Sequence, residues 1–140
     1  MKSSLSQLVI RRAKQCCEYC LLHDSSTVLP FHIDHIIAQQ HGGATIETNL
    51  AYACANCNHH KGTNIATLDP DIVSTHPIWL FNPRKDVWDA HFILEGTMIA
   101  GLTSSGRGTA FLLQFNGELP RERRAALIEE GLYPPPHFDR

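Results

Sequence analysis

The sequence predicts an α+β fold, and three observations lead to this prediction. The first is a pair of Cys-x-x-Cys motifs, one near the N-terminus and one near the middle of the chain. The second is a strand–loop–strand–helix pattern that ends around the second motif. The third is a hairpin pattern followed by two helical patterns toward the C-terminus. Together they indicate a small core with an N-terminal helix and a C-terminal extension.

The N-terminal segment predicts a short helix over residues 4–15, which Ser3 or Ser4 can cap. Its basic residues fall mostly on the face opposite the apolar one, where they are either solvated or in contact with phosphate. The apolar residues at helical spacing are Leu5, Leu8, Val9 and Ala13, and the basic residues are Arg11, Arg12 and Lys14.

The middle of the chain predicts two strands, a loop between them and a helix. Residues 28–38 read as a strand region that Pro30 interrupts. Residues 39–48 read as a loop, because its paired glycines permit conformations that other residues resist. Residues 49–54 read as a short second strand, and the helix that follows closes near Gly62.

The C-terminal part predicts a hairpin over residues 91–103, with its turn at Glu95-Gly96. A helix then runs from a cap near Thr103 through Leu113. A second helix covers residues 120–130, with proline at its start and glycine just past its end. The Tyr-Pro-Pro-Pro run beyond it predicts an extended tail.

Cysteine disappears from the sequence after the middle helix, and this change suggests two parts. We expect residues 1–72 to form the core and residues 73–140 to pack on it as an extension of unknown function. Four aromatic residues are expected to form the interior of the extension rather than to stack on bases: Trp79, Phe81, Trp88 and Phe92. Three arginines among glutamates are expected to form a solvated face: Arg121, Arg123 and Arg124. Arg84 and Arg107, in turns, either clamp a phosphate or carboxylate or serve the structure.

The composition excludes some classes of protein. A formal net charge of −2 argues against a coat protein that binds nucleic acid by charge alone, although a local basic surface remains compatible with it. No stretch approaches the roughly 18 apolar residues of a membrane span. The N-terminus also lacks the unbroken apolar run of an export signal. We therefore expect a cytoplasmic protein with no membrane partner.

The cysteines point to a metal site. Cys17 and Cys20 form one Cys-x-x-Cys pair and Cys54 and Cys57 form the other, which is the spacing of knuckles that share one tetrahedral Zn²⁺. The alternatives are a redox dithiol or four unrelated buried thiols. Without an export signal, disulfides are the weaker interpretation. The remaining Cys16 is expected to be a semi-buried thiol.

Residues with catalytic chemistry cluster around these knuckles. Asp34 and His35 lie on the first predicted strand, Asn49 opens the second, and Asn58 follows Cys57 at the start of the helix. A zinc ion between the knuckles would stiffen this unit and fix where the side chains point. Because neighbours on a strand face opposite sides, Asp34 and His35 can serve one site only at a strand end or distortion.

These segments resemble the HNH endonucleases in their zinc-knuckle form. The resemblance rests on "CEYC", "HIDHIIAQQHGG" and "NLAYACANCNHHKG" in this order and covers roughly residues 9–64. It implies a ββα-metal unit that grips the phosphate backbone of DNA around one divalent ion. The downstream sequence also looks like the tail of free-standing bacterial members of the family.

The resemblance also implies roles for individual residues. His35 would be the general base that takes a proton from the attacking water, and Asn49 would bond the loop backbone and hold His35 in orientation. Asp34 and Asn58 would bind the catalytic ion, and their oxygen atoms favour Mg²⁺ or Mn²⁺. The family usually has histidine at the position of Asn58, so this chain is an H-N-N variant, with His59 as the competing ligand.

Other residues of the segment have two interpretations each. His32 either supports the site or is an ordinary strand histidine, and His41 is expected to be a loop histidine. His60 and Lys61 either contact phosphate at the helix or form a solvated face.

The function that follows is a metal-dependent endonuclease that hydrolyses DNA with little sequence specificity. The alternatives are a zinc-ribbon module that binds nucleic acid without catalysis and a zinc-stabilised scaffold. A pure ribbon has no use for Asp34, His35 or Asn49, and this favours the nuclease. The oligomeric state stays open.

Overall fold

The structure is a computed structural model in which residues 2–136 are described. It is an α+β fold, as predicted, with three small antiparallel strand pairs and five α-helices in the described part. The elements, in chain order, are α1 (Ser4–Arg12), β1 (His32–His35), β2 (Leu50–Ala53), α2 (Ala55–Lys61), β3 (Ala66–Thr67), β4 (Ile78–Trp79), α3 (Trp88–His91), β5 (Phe92–Glu95), β6 (Met98–Gly101), α4 (Ser104–Leu112) and α5 (Glu118–Glu129).

The pair β1–β2 forms the centre of the first half. His32 lies opposite Ala53 and His35 opposite Leu50, so the strand that carries His35 ends where β2 begins. All four residues of β2 are buried, because it is covered on both faces. Leu50 and Tyr52 pack with Val9 of α1, while the two alanines between and after them face the larger core.

Helix α1 begins as expected, since the Ser3 side chain accepts a hydrogen bond from the N–H of Ser6. It ends at Arg12, three residues earlier than predicted. Lys14 and Gln15 adopt left-handed backbone conformations, with φ of 54° and 64°, which turn the chain toward the first knuckle. Arg12 donates to the carbonyls of Glu47 and Leu50, so its role is structural.

Helix α2 has only two turns, and both of its ends are capped. The Sγ of Cys54 accepts a hydrogen bond from the N–H of Cys57 at the N-terminus. Gly62 ends the helix with φ of 53°, as the sequence indicates. The helix packs on β1 and brings its Asn58–Lys61 turn against that strand.

The C-terminal hairpin and helices lie where they are predicted, with two differences. Helix α5 begins at Glu118, so that Pro120 is its third residue, which is tolerated because N–H groups of the first turn have no acceptor within the helix. The tail is not simply extended, because Tyr133 returns to the core and donates to the carbonyl of Cys20 at 2.7 Å. Residues 137–140 of the sequence lie outside the described part.

One continuous hydrophobic core joins both halves of the chain. Phe81, Trp88 and Phe92 pack in it together with the knuckle residues, and Trp88 Nε1 donates to the carbonyl of Tyr19 at 2.8 Å. Trp79 does not belong to this core, contrary to expectation, because it is 70% exposed. It lies on a two-residue strand on which alternate side chains face opposite ways, and Ile78 takes the inward position beside α4.

The arginines also differ from the expectation in one case. Arg124 is only 3% exposed and donates to the carbonyls of Phe115 at 2.7 Å and Thr97 at 2.8 Å. It shares an inward face of α5 with Leu127, three residues later, so its aliphatic stem packs while its head satisfies carbonyl groups.

The two arginines predicted to lie in turns both serve the structure, but only Arg84 lies in a turn, because Arg107 belongs to α4. Arg84 pairs with Glu18, and Arg107 pairs with Asp69 at 2.8 Å. Among residues 2–136, no helix has the length and apolar character that crossing a bilayer requires.

Candidate active site and metal centre

Four buried cysteines from two distant segments meet at one point. The Sγ atoms of Cys17, Cys20, Cys54 and Cys57 all lie within 4.8 Å of one another, and none of the four forms a disulfide. Four thiolates at about 2.3 Å from one zinc ion stand about 3.8 Å apart at tetrahedral angles. The Sγ atoms of Cys20 and Cys54 are 3.7 Å apart, which fits that geometry. The predicted metal cluster is therefore present, and its donor set fits structural zinc.

Backbone N–H groups and burial influence the ionisation of these thiols. The N–H of Cys20 points at Cys17 Sγ and the N–H of Cys57 at Cys54 Sγ, at 3.5 and 3.4 Å. Burial raises the pKa of the Cys17 and Cys57 thiols, whereas hydrogen bonds from the other thiols lower the pKa of Cys54. A bound cation would supply the charge that keeps all four deprotonated. Cys16 is buried nearby but lies outside the group.

Asp34 points into the protein and is 6% exposed. Its carboxylate accepts a hydrogen bond from the Tyr19 hydroxyl at 3.1 Å and forms an ion pair with Lys61 Nζ at 3.1 Å. Burial raises the pKa of Asp34, while the contacts with Lys61 and Tyr19 oppose that rise. The same ammonium donates to the backbone carbonyl of His35 at 3.0 Å, so it links the Asp34 side chain to the end of β1.

His35 lies at the end of β1 and is half-buried. Its Nε2 shares a hydrogen bond of 2.8 Å with Oγ1 of Thr45, which comes from the loop between the strands. His35, Asp34 and Asn58 line one open groove of about 330 Å³ at the edge of the β1–α2 contact. Three of the sequence-predicted residues therefore meet in one place, because β1 ends there and α2 crosses it.

Asn49 does not line this groove but fastens the loop that borders it. Its Oδ1 accepts from the N–H of Ile37, and its Nδ2 donates to the carbonyls of Ile37 and Ala44, each at 2.9 Å. We call these contacts the Asn49 clasp. Gly43 packs against it, and a Cβ there would stand 1.7 Å from the Ile37 carbonyl oxygen. The clasp connects the residues just after His35 with the loop residues next to Thr45.

The remaining histidines lie elsewhere. His32 is exposed on β1, and the rings of His59 and His60 contact each other on α2, with centroids 5.0 Å apart. None of these three lines the groove in the described part of the chain, whereas Asn58 does. His41 is an exposed loop residue, as predicted, and its Nε2 contacts the carbonyl of Thr63 at 3.1 Å.

The groove offers hard oxygen donors to a divalent ion. A carboxylate of Asp34 and an amide of Asn58 suit Mg²⁺ or Mn²⁺ better than zinc, and such ions keep several water ligands. The donor chemistry therefore fits a catalytic ion. One feature works against it, since the Lys61 ammonium already contacts both carboxylate oxygens of Asp34, at 3.3 and 3.1 Å.

Sequence reasoning missed the partners of these residues. Tyr19 stands between the first two cysteines, and its buried hydroxyl reaches Asp34, fifteen residues away. Thr45 lies in a loop that the sequence marks only by its glycines. The sequence suggests phosphate contact or a solvated face for Lys61, and the solvated face is wrong because Lys61 is only 2% exposed. Its spacing from Asn58, three residues on a helix, was the available signal for a shared face.

Comparison with known proteins agrees with this geometry. Residues 17–64, about a third of the chain, match the family model described as HNH endonuclease. Neither a curated protein nor a solved structure matches the chain. The matched segment begins at the first zinc knuckle and ends just after α2, so it contains the four cysteines and the whole groove. Residues 17–64 are therefore similar to HNH domains, which is consistent with an HNH endonuclease.

Proposed function

We propose that the protein is a metal-dependent endonuclease that hydrolyses DNA phosphodiester bonds. The observation that carries this proposal is the convergence of Asp34, His35 and Asn58 on one open groove within the segment that is similar to HNH domains. HNH domains are generally those of nucleases, and a groove that is open to solvent suits a polymer backbone. A pure zinc ribbon would not need this arrangement.

His35 is the general base in this proposal. An imidazole is the side chain most often used to accept a proton in general-base catalysis. The hydrogen bond between Nε2 and Thr45 holds the ring, which leaves Nδ1 to take the proton of the attacking water. The water oxygen then bonds to phosphorus, and the bond between phosphorus and the leaving oxygen breaks.

Asp34 and Asn58 are the protein ligands of a Mg²⁺ or Mn²⁺ ion in this proposal. When bound, the ion supplies positive charge for the developing charge on the phosphate and the leaving oxygen. Asn58 is favoured over His59 because Asn58 lines the groove, while His59 is exposed on the outer side of α2.

Asn49 acts as a positioning residue. The clasp fixes the backbone just after His35 to the loop that carries Thr45. The Asn49 side chain therefore holds both the proposed base and the loop whose threonine bonds to it. Such support is needed because a general base must stay within hydrogen-bond reach of its water.

The C-terminal part supports the core rather than completing the groove. We propose that residues 1–72 form the nuclease core and that residues 73–140 pack on it. Three hydrogen bonds across this division favour the arrangement: Trp88 to the Tyr19 carbonyl, Tyr133 to the Cys20 carbonyl, and Asn56 to the Leu113 carbonyl.

A cleavage assay separates the nuclease from a binding module. Supercoiled plasmid is incubated with zinc-loaded protein in Mg²⁺, in Mn²⁺ and in a chelator too weak to remove the zinc, and binding to the same DNA is measured by gel shift. We expect nicked or linear product only with the divalent ion, and little preference among unrelated plasmids. Binding without cleavage in every condition would contradict the proposal and favour the non-catalytic zinc ribbon.

A further inference from the structure

We propose that Lys61 is a resident counter-cation of the catalytic groove, which neutralises Asp34 until a divalent ion displaces its ammonium. This inference rests on the proposed function, because it concerns the same carboxylate that would bind the ion. In this account Lys61 lowers the affinity of the groove for the metal ion. It also keeps the metal-free protein folded, because it pairs with the buried Asp34 carboxylate.

Three oxygen atoms of Asp34 and His35 contact the Lys61 ammonium. It stands 3.3 and 3.1 Å from the two carboxylate oxygens of Asp34 and 3.0 Å from the carbonyl oxygen of His35. The side chains of Lys61 and Asp34 are 2% and 6% exposed, so water solvates neither charge well. A buried pair of this kind is costly to break from one side, because the remaining charge then has no partner.

The position of the ammonium conflicts with a divalent ion on Asp34. Both oxygens of the carboxylate face a positive charge at hydrogen-bond distance, and a divalent ion bound to either would stand within a few ångströms of that charge. Repulsion at this range in a partly buried site is strong. The ion must therefore drive the ammonium away from the carboxylate, and that work reduces the observed affinity.

The fold offers the ammonium a place to go. Lys61 also lines a second cavity of about 280 Å³, which is bounded mostly by apolar side chains and whose other charged residues are Lys85 and Asp86. The Lys61 side chain thus contacts Asp34, which lines the catalytic groove, and also borders a cavity that holds the acidic residue Asp86. A change of side-chain torsions can move the head group into this cavity, since a lysine stem has four rotatable bonds.

The test measures metal binding rather than cleavage. Mn²⁺ is titrated into full-length, zinc-loaded protein, and the free ion is followed by electron paramagnetic resonance for the wild type, Lys61→Gln and Lys61→Met. Lys61→Gln keeps an N–H donor on the side chain but removes the charge. Lys2→Gln is the control for the loss of one positive charge, because Lys2 is exposed and lines neither the groove nor the second cavity. Asp34→Asn identifies the site.

We expect both Lys61 variants to bind Mn²⁺ at least about tenfold more tightly than the wild type, with Lys2→Gln unchanged and binding lost in Asp34→Asn. Equal or weaker binding by the Lys61 variants would overturn the inference. If the variants fold only when Mn²⁺ is supplied, the ion has replaced the missing charge and the inference stands. If they stay unfolded with Mn²⁺, it fails.

The plasmid assay distinguishes this failure from that of the proposed function. A wild type that cleaves DNA, together with Lys61 variants that gain no affinity, would overturn only the role of Lys61. Absence of both Mn²⁺ binding and cleavage in all of the proteins would overturn the inference and the nuclease proposal together.

Discussion

Replacement of Asn49 by alanine removes the clasp and should loosen the loop beside the groove. Three hydrogen bonds of 2.9 Å are lost. Each contributes about 0.5–1.5 kcal/mol net, which gives an upper range of about 1.5–4.5 kcal/mol. Because Asn49 is only half-buried, water recovers part of this, and we expect Asn49→Ala to lower the free energy of unfolding by about 1–3 kcal/mol.

Urea unfolding measures the global effect, and hydrogen exchange of the Ile37 amide measures the local one. If this amide exchanges through opening of the clasp, a loss of about 1–3 kcal/mol speeds its exchange about 5- to 150-fold. The control is Asn49→Asp, which keeps the acceptor for the Ile37 N–H but places a carboxylate against two carbonyl oxygens. We expect it to be at least as destabilising as alanine.

Two results together would refute the conclusion that the clasp holds the loop in place. One is a change in unfolding free energy below about 0.5 kcal/mol for Asn49→Ala, which is the size expected of ordinary surface substitutions. The other is an unchanged exchange rate of the Ile37 amide. In that case the loop would be held by its other contacts, and a positioning role for Asn49 would have no physical basis.

Three further changes test the metal centre, the support of Asp34 and the acid stability. Cys57→Ala should abolish both zinc binding, measured by elemental analysis, and cooperative thermal unfolding. The reason is that structural zinc contributes about 10–16 kcal/mol in zinc-finger peptides, against a typical total stability of about 5–15 kcal/mol. A zinc-free variant that melts cooperatively would contradict this. Tyr19→Phe removes a hydrogen bond to a buried carboxylate and should cost about 1.5–3 kcal/mol in urea unfolding at neutral pH, while an unchanged midpoint would show that the bond contributes nothing. Hydrogen bonds from Arg107 hold the pKa of Asp69 below its usual value, so their stabilisation is present above the ordinary carboxyl pKa and is lost as pH falls through the lowered one. The difference in unfolding free energy between wild type and Asp69→Asn should therefore shrink between pH 5 and pH 2, and a difference that is constant with pH would refute the pairing.

The sequence was sufficient for the elements whose pattern is local. The strand–loop–strand–helix unit follows from short alternating runs, paired glycines and a closing glycine at Gly62, and the structure has each of these elements. The zinc site was predictable because Cys-x-x-Cys spacing constrains the ligands regardless of what surrounds them. The C-terminal hairpin and α4 were predictable from a turn glycine and a threonine cap.

The remaining features depend on contacts between distant parts of the chain. The pair of Asp34 and Lys61 joins residues 27 apart, and burial of Arg124 depends on where α5 docks. The exposure of Trp79 follows from a two-residue strand pair that has no periodicity to detect. Residue type alone predicts a buried tryptophan and a solvated arginine, and tertiary packing reverses both.

The role of His35 is the claim on which the proposed function depends most. Supercoiled plasmid is incubated in Mg²⁺ with the wild type, His35→Ala or His41→Ala, and the cleavage rate is measured. Zinc content and folding are checked for each protein. His41→Ala is the matched control, because His41 is an exposed histidine of the neighbouring loop. General-base catalysis contributes about 10²- to 10⁴-fold, so we expect His35→Ala to lose at least about 100-fold in rate and His41→Ala to stay close to wild type. A folded, zinc-loaded His35→Ala protein that cleaves at the wild-type rate would contradict the assignment of the base and of this groove as the active site.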